Sequence, residues 1–162
     1  MKTYIKVLIV AFTAIVSSTM ISCERDNPDP GGTATQNLAG EWWVQWDQLP
    51  GVYFHIVTYN TSANSASEMW FDDQGTFWEV KGKINTDQNS LSFSGSDIQN
   101  VYYDSKFTIT EGKVIKEGAK GPVSKSVTDS IYFKISFSDD DPVGTVYTLS
   151  GYGRTRYAED DH

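Results

Sequence analysis

The run DSIYFKISF at residues 129–137 alternates without a break. Ile131, Phe133, Ile135 and Phe137 take one face; Tyr132, Lys134 and Ser136 take the other. A period of two marks a strand with one face buried and one wet. Working outward, the same rule recurs along the chain. Trp42, Val44 and Trp46 alternate with Trp43, Gln45 and Asp47, and Phe54 and Ile56 with His55 and Val57. Trp78, Val80 and Ile84 alternate with Glu79, Lys81 and Lys83. Shorter pieces repeat the pattern at Met69 and Phe71, Leu91 and Phe93, Phe107 and Ile109, and Tyr147 and Leu149. No window carries an apolar stripe of helical period. The stretch between Ser94 and Tyr103 is the one place with room for a short helix. Turn-forming residues separate the runs at Leu49-Pro50-Gly51, Asp72-Asp73-Gln74-Gly75, Asp87-Gln88-Asn89, Glu111-Gly112 and residues 139–144. Local turns between short strands predict an all-β fold, an antiparallel meander β-barrel of about eight strands. A two-sheet sandwich is the alternative, but Greek keys need longer crossovers than this chain offers.

The chain has 162 residues, enough for one domain after a short leader, and 14% of them are aromatic. Acidic residues outnumber basic ones 21 to 13, a formal charge of −8. That balance excludes the clustered basic face a nucleic-acid partner requires. A single Cys excludes an intramolecular disulfide and a Cys-cluster zinc site.

The N-terminus reads as an address. Lys2 and Lys6 precede an apolar run from Val7 to Val16, and the segment ends Met20-Ile21-Ser22-Cys23. The run is too short to cross a bilayer, which takes ~20 apolar residues, and it suits a secretory leader. Residues 1–22 are therefore expected to be a lipoprotein signal peptide and Cys23 the lipidated residue. Residues 23–37, rich in Pro, Gly and polar side chains, are expected to be a flexible tether, and residues 38–162 the barrel domain. The implied location is the Gram-negative envelope, as an outer-membrane lipoprotein held by its acyl chains on the periplasmic or cell-surface side.

Two motifs carry a family likeness. Gly40-Glu41-Trp42 resembles the G-x-W signature of lipocalins and related calycins, and the last strand, read as Tyr147–Tyr157, carries Arg154 and Arg156. In that superfamily the Trp packs under the closed end of the barrel and an Arg stacks across it. The resemblance thus assigns barrel closure to Gly40, Trp42, and Arg154 or Arg156. The span 38–157 also resembles a family of Gram-negative lipoproteins described as lipid-binding putative hydrolases. The likeness rests on W-x-V-x-W at Trp42–Trp46, the run from Trp78 to Ile84, D-S-I-Y-F at Asp129–Phe133 and Y-T-L-S-G at Tyr147–Gly151. It implies a calycin-like barrel and a lipid or other apolar ligand. The T-D-Y motif and disulfide of true lipocalins are missing.

Catalytic chemistry finds little supply. Ser94-Gly95-Ser96-Asp97 lacks the glycine frame of a nucleophile elbow. A serine triad needs a base, and the chain has two histidines, His55 within a strand and His162 at the end of the sequence. Asp72, Asp73 and Asp139–Asp141 read as solvated turn acids. The acidic loop fails as an EF-hand, since Ser150 stands where a bidentate Glu is required. No catalytic residue, metal site or cofactor is assigned. The aromatics remain: Trp46, Phe54, Phe71, Trp78 and Phe93 are the candidates to line a cavity for a small apolar ligand. The competing function is a surface glycan-binding or structural accessory lipoprotein using outward aromatics such as Trp43 and Trp70. A hydrolase ranks last.

Overall fold

The structure is a computed structural model that describes residues 31–162. The leader, Cys23 and most of the expected tether lie outside those residues. Eight strands form a closed barrel in sequence order: β1 (Gly40–Trp46), β2 (Phe54–Asn60), β3 (Glu68–Asp72), β4 (Lys81–Asp87), β5 (Ser92–Gln99), β6 (Lys106–Lys120), β7 (Val127–Phe137) and β8 (Tyr147–Gly153). Every neighbouring pair is antiparallel, and β1 against β8 closes the circle. The meander read from alternation is therefore the fold, and the sandwich alternative is excluded. Closure pairs every strand with a neighbour on both sides and so removes the free edge strands of an open sheet, although β4 and β5 pair over only three residues each.

Side-chain parity follows the pleat. Trp42 and Val44 on β1, Ile56 on β2, Met69 and Phe71 on β3 and Ile84 on β4 point inward and are buried. From the far side Phe107 and Ile109 of β6, Ile131, Phe133 and Ile135 of β7 and Leu149 of β8 meet them in one cluster. Phe133 sits centrally, with the Phe71 ring 5.3 Å away and the Phe93 ring 6.1 Å away. Each such ring removes apolar area from water at about 25 cal/mol per Å².

Three local expectations change. The stretch after Ser94 is strand, not helix: β5 continues to Gln99 through two register shifts. Glu111-Gly112 is no turn but lies inside the fifteen-residue β6. Gly112 is there because a Cβ would come within 2.4 Å of the Phe93 ring, so the glycine admits a core aromatic rather than reversing the chain. The last residues of the expected tether are packed against the domain. Thr35 is buried, Leu38 and Ala39 donate backbone hydrogen bonds to its carbonyl, and Ala34 N–H bonds Asn64.

Candidate functional site

The two barrel ends are built differently. At the end where β1 begins, Trp42 lies flat over Gly40, whose Cβ would come within 3.0 Å of the indole. The Trp42 Nε1–H donates to Thr58 Oγ1 at 2.9 Å. The same oxygen accepts the Gly40 N–H and donates to the Leu38 carbonyl. One buried hydroxyl thus ties the entering chain, the tryptophan and β2 together.

Among the described residues no arginine lies over that ring. The register pairs Trp42 with Gly153, so Arg154 falls on the outer face by parity. There its guanidinium grips Asp161 through Nε (2.7 Å) and Nη2 (2.6 Å) and Glu41 through Nη1 (2.7 Å). Arg156 adds a bond to Glu41 at 3.2 Å. The cation–π contacts among the described residues come from Lys81 and Lys83. The expected closing arginine is therefore a clamp on the C-terminal segment. That segment covers the outward Trp43, whose Nε1–H donates to Asp161.

At the opposite end, the mouth, the loops after β1, β3, β5 and β7 converge. Trp46 closes β1, Phe54 opens β2, Phe77 and Trp78 stand in the β3–β4 loop, Phe137 ends β7 and Tyr147 opens β8. Their rings form one continuous cluster. Trp78 stacks on Phe137 at 4.4 Å, Phe54 meets Phe77 at 4.8 Å, and Tyr147 lies 5.2 Å from Trp46 and 5.5 Å from both Phe77 and Trp78. Phe137 is buried, and the others are half-buried. The Trp46 Nε1–H is buried and has no hydrogen-bond partner among the described residues, an uncommon state for an indole donor.

A collar of carboxylates positions these rings. Asp73 accepts the N–H groups of Gly75, Trp78 and Val80 and so folds the loop that presents Phe77 and Trp78. Burial pushes its carboxyl above the usual range, against the pull of those donors. Asp139 accepts from Trp78 Nε1 at 3.3 Å and from the Tyr103 hydroxyl at 2.8 Å. Asp140 accepts from the Tyr147 hydroxyl at 3.1 Å. Asp72 takes the Tyr102 hydroxyl at 2.7 Å and Lys81 at 3.1 Å. The turn acids read as solvated are thus partly structural: Asp72 and Asp73 are 2% and 1% exposed.

Of the five residues expected to line a cavity, Trp46, Phe54 and Trp78 meet at the mouth. Phe71 and Phe93 lie deeper, packed on Phe133 as core. Phe77, Phe137 and Tyr147 complete the mouth and were missed. Their common signal is position, since each sits at a strand end or in a loop on the same side of the barrel.

Residues 27–158 match the family described as "Lipid-binding putative hydrolase". The chain belongs to that family. No curated protein matches it. The barrel and the family agree on a lipocalin-like lipid-binding fold.

The second half of the family's description gains no constellation among the described residues. His55 lies on the outer wall, its ring 4.8 Å from Trp43 and its Nε2 3.9 Å from Glu41. His162 stacks on Tyr53 at 3.5 Å and shares a hydrogen bond with the Tyr152 hydroxyl. Neither ring bonds a serine. Ser94 and Ser96 stand on a strand, not at a strand-to-helix turn. Among the described residues no three His, Cys, Asp or Glu side chains gather as a metal site.

Proposed function

We propose that this protein is an outer-membrane lipoprotein whose barrel mouth binds a small lipid-like ligand. The observation that carries the reading is the aromatic cluster at the mouth with its buried, unpartnered Trp46 Nε1–H. An acyl chain replaces ring–ring contacts by displacing the Phe77–Trp78 loop, and a carboxylate or hydroxyl head accepts the free indole proton. The loop holds Gln74, Gly75 and Glu79 at positive φ and meets its surroundings through Thr76 at His55, Trp78 at Asp139 and Glu79 at Asn100, the bonds an entering chain would have to displace. Membership of a lipid-binding family supports the same ligand class. The anchoring half of the proposal rests on the apolar leader and on Cys23, the one cysteine of the chain.

Burying ~300 Å² of apolar ligand gains at most about 7 kcal/mol before association costs, so a fatty acid binds at micromolar strength at best. The test is titration of intrinsic fluorescence with palmitate and oleate. Saturable change is expected, weakened in Trp46→Phe, which keeps a ring and removes the N–H, and in Trp78→Ala. No saturable change, or binding indifferent to both substitutions, overturns the proposal.

A further inference from the structure

The barrel wall has a breach. β4 and β5 pair only where Asn85–Asp87 face Ser92–Ser94. Beyond that, β5 turns away through Asp97, at φ 51°, and follows β6, with Ile98 opposite Phe107. Ile98 plugs the gap from the barrel side. A Cβ at Gly82 would come within 2.5 Å of its side chain, and one at Gly95 within 2.6 Å. Outside the plug lies a groove of about 410 Å³, lined by Trp70, Lys83, Asn85, Ser96, Gln99 and Val101. That volume falls within the range of small-molecule sites.

The lining has a definite chemistry. Trp70 points outward, opposite in parity to the buried Met69 and Phe71; its ring is backed by Tyr59 and has Lys83 Nζ 5.5 Å and Lys81 Nζ 5.7 Å from its centre, so a sugar ring would stack there by displacing these flexible side chains. Asn85, Ser96 and Gln99 are exposed, uncharged and able to donate and accept hydrogen bonds. The Gln99 amide is fixed through Nε2 to the Ser105 carbonyl at 3.1 Å. Of the cations beside the groove, Lys83 pairs with Glu68 and Lys81 with Asp72, each at 3.1 Å, while Lys106 stands opposite Gln99 in the register. A phosphate headgroup would have to compete with Glu68 and Asp72 for the two lysines nearest Trp70, and a bare acyl chain would leave the amides without a ligand partner. An aromatic face flanked by neutral amides and a hydroxyl matches a ligand with C–H faces and many hydroxyls.

We infer that this outer groove binds a neutral oligosaccharide. The site is separate from the mouth and stands whether or not the mouth takes lipid. The test screens the purified protein against arrayed malto-, cello-, manno- and chitooligosaccharides, then measures each hit by calorimetry. Amide and indole NMR shifts locate the binding. At least one saccharide should bind saturably, shifting the Trp70 indole and Gln99 amide signals. Trp70→Ala should weaken binding by about tenfold or more, as expected for loss of a stacking ring. Trp70→Phe should retain part of it, and Trp46→Phe, at the mouth, should leave it unchanged. Circular dichroism confirms that each variant folds. Failure of every saccharide to bind overturns the inference. So does binding that survives Trp70→Ala, or shifts confined to the mouth. Titration with inorganic phosphate and with phosphatidylglycerol vesicles forms the other arm, and a response of Trp70 to these but not to sugars also overturns it.

Discussion

Arg154 shows how one residue of parity decides a role. The sequence places an arginine in the last strand, which in the structure ends one residue earlier, at Gly153, and the family likeness assigns it to Trp42. The side chain facing Trp42 is instead that of Gly153, which has no Cβ; one there would lie 3.5 Å from the indole. The presence of the arginine was legible; its face was not, because register is a pairing property and not a local one. Its work on the outer wall yields an acid-sensitive contact. Hydrogen bonds from Arg154 and Trp43 hold the Asp161 carboxyl at about 2, below the ordinary aspartate value. A depressed carboxylate contributes stability above its unfolded value and loses it as pH falls through the folded one. The C-terminal segment should therefore loosen between about pH 4 and pH 2, seen as a change in Trp43 emission. In Asp161→Ala that transition should be absent, with the segment already loose at neutral pH. An identical acid titration in the variant would show that Asp161 is not the group responsible. At the closed end, Thr58 makes a second residue-scale prediction. Thr58→Val keeps the shape but strips Trp42, Gly40 and Leu38 of their shared partner. It should cost ~1–3 kcal/mol in denaturant unfolding.

Among the elements, the strands were legible wherever alternation ran unbroken, and illegible where glycine or a carboxylate acted at a distance. Gly112 reads as a turn by composition, yet it makes room for Phe93. The β3–β4 connection reads as a tight hairpin at residues 72–75, but Asp73 gathers N–H groups as far as Val80 and opens it into a broad loop. This carboxylate was read as solvated because nothing local distinguishes a turn acid in water from one wrapped by its own backbone. The aromatic mouth depends on it. Asp73→Ala leaves three backbone donors without their acceptor and should destabilise the protein by ~1–3 kcal/mol. Hydrogen exchange at the Trp78 and Val80 amides should accelerate well before that of the Phe133 amide in the core strand. Equal acceleration everywhere would mean that Asp73 supports the whole barrel rather than its loop.

At the scale of the molecule, alternation and turn chemistry were enough to predict an eight-strand meander, since sequential hairpins admit few other closed arrangements. They did not say how the interior is used. An inward Phe has the same sequence signal whether it lines a hollow or fills one, and here Phe71 and Phe93 fill. What remains is a barrel with a packed middle, a tied end and an aromatic mouth, proposed to act at a membrane through its N-terminal leader and Cys23. That division makes the last prediction. If acyl chains on Cys23 are the anchor, two or more chains hold the protein far more strongly than any surface contact of an acidic domain. Cys23→Ala should then move the protein from the outer-membrane fraction to the soluble fraction, with its thermal midpoint and its palmitate titration unchanged. A variant that stays with the membrane carries a second anchor, and the lipoprotein reading fails. A variant that is released but no longer binds palmitate would place part of the ligand site in the leader-proximal chain rather than at the mouth formed by Trp46, Phe77 and Trp78.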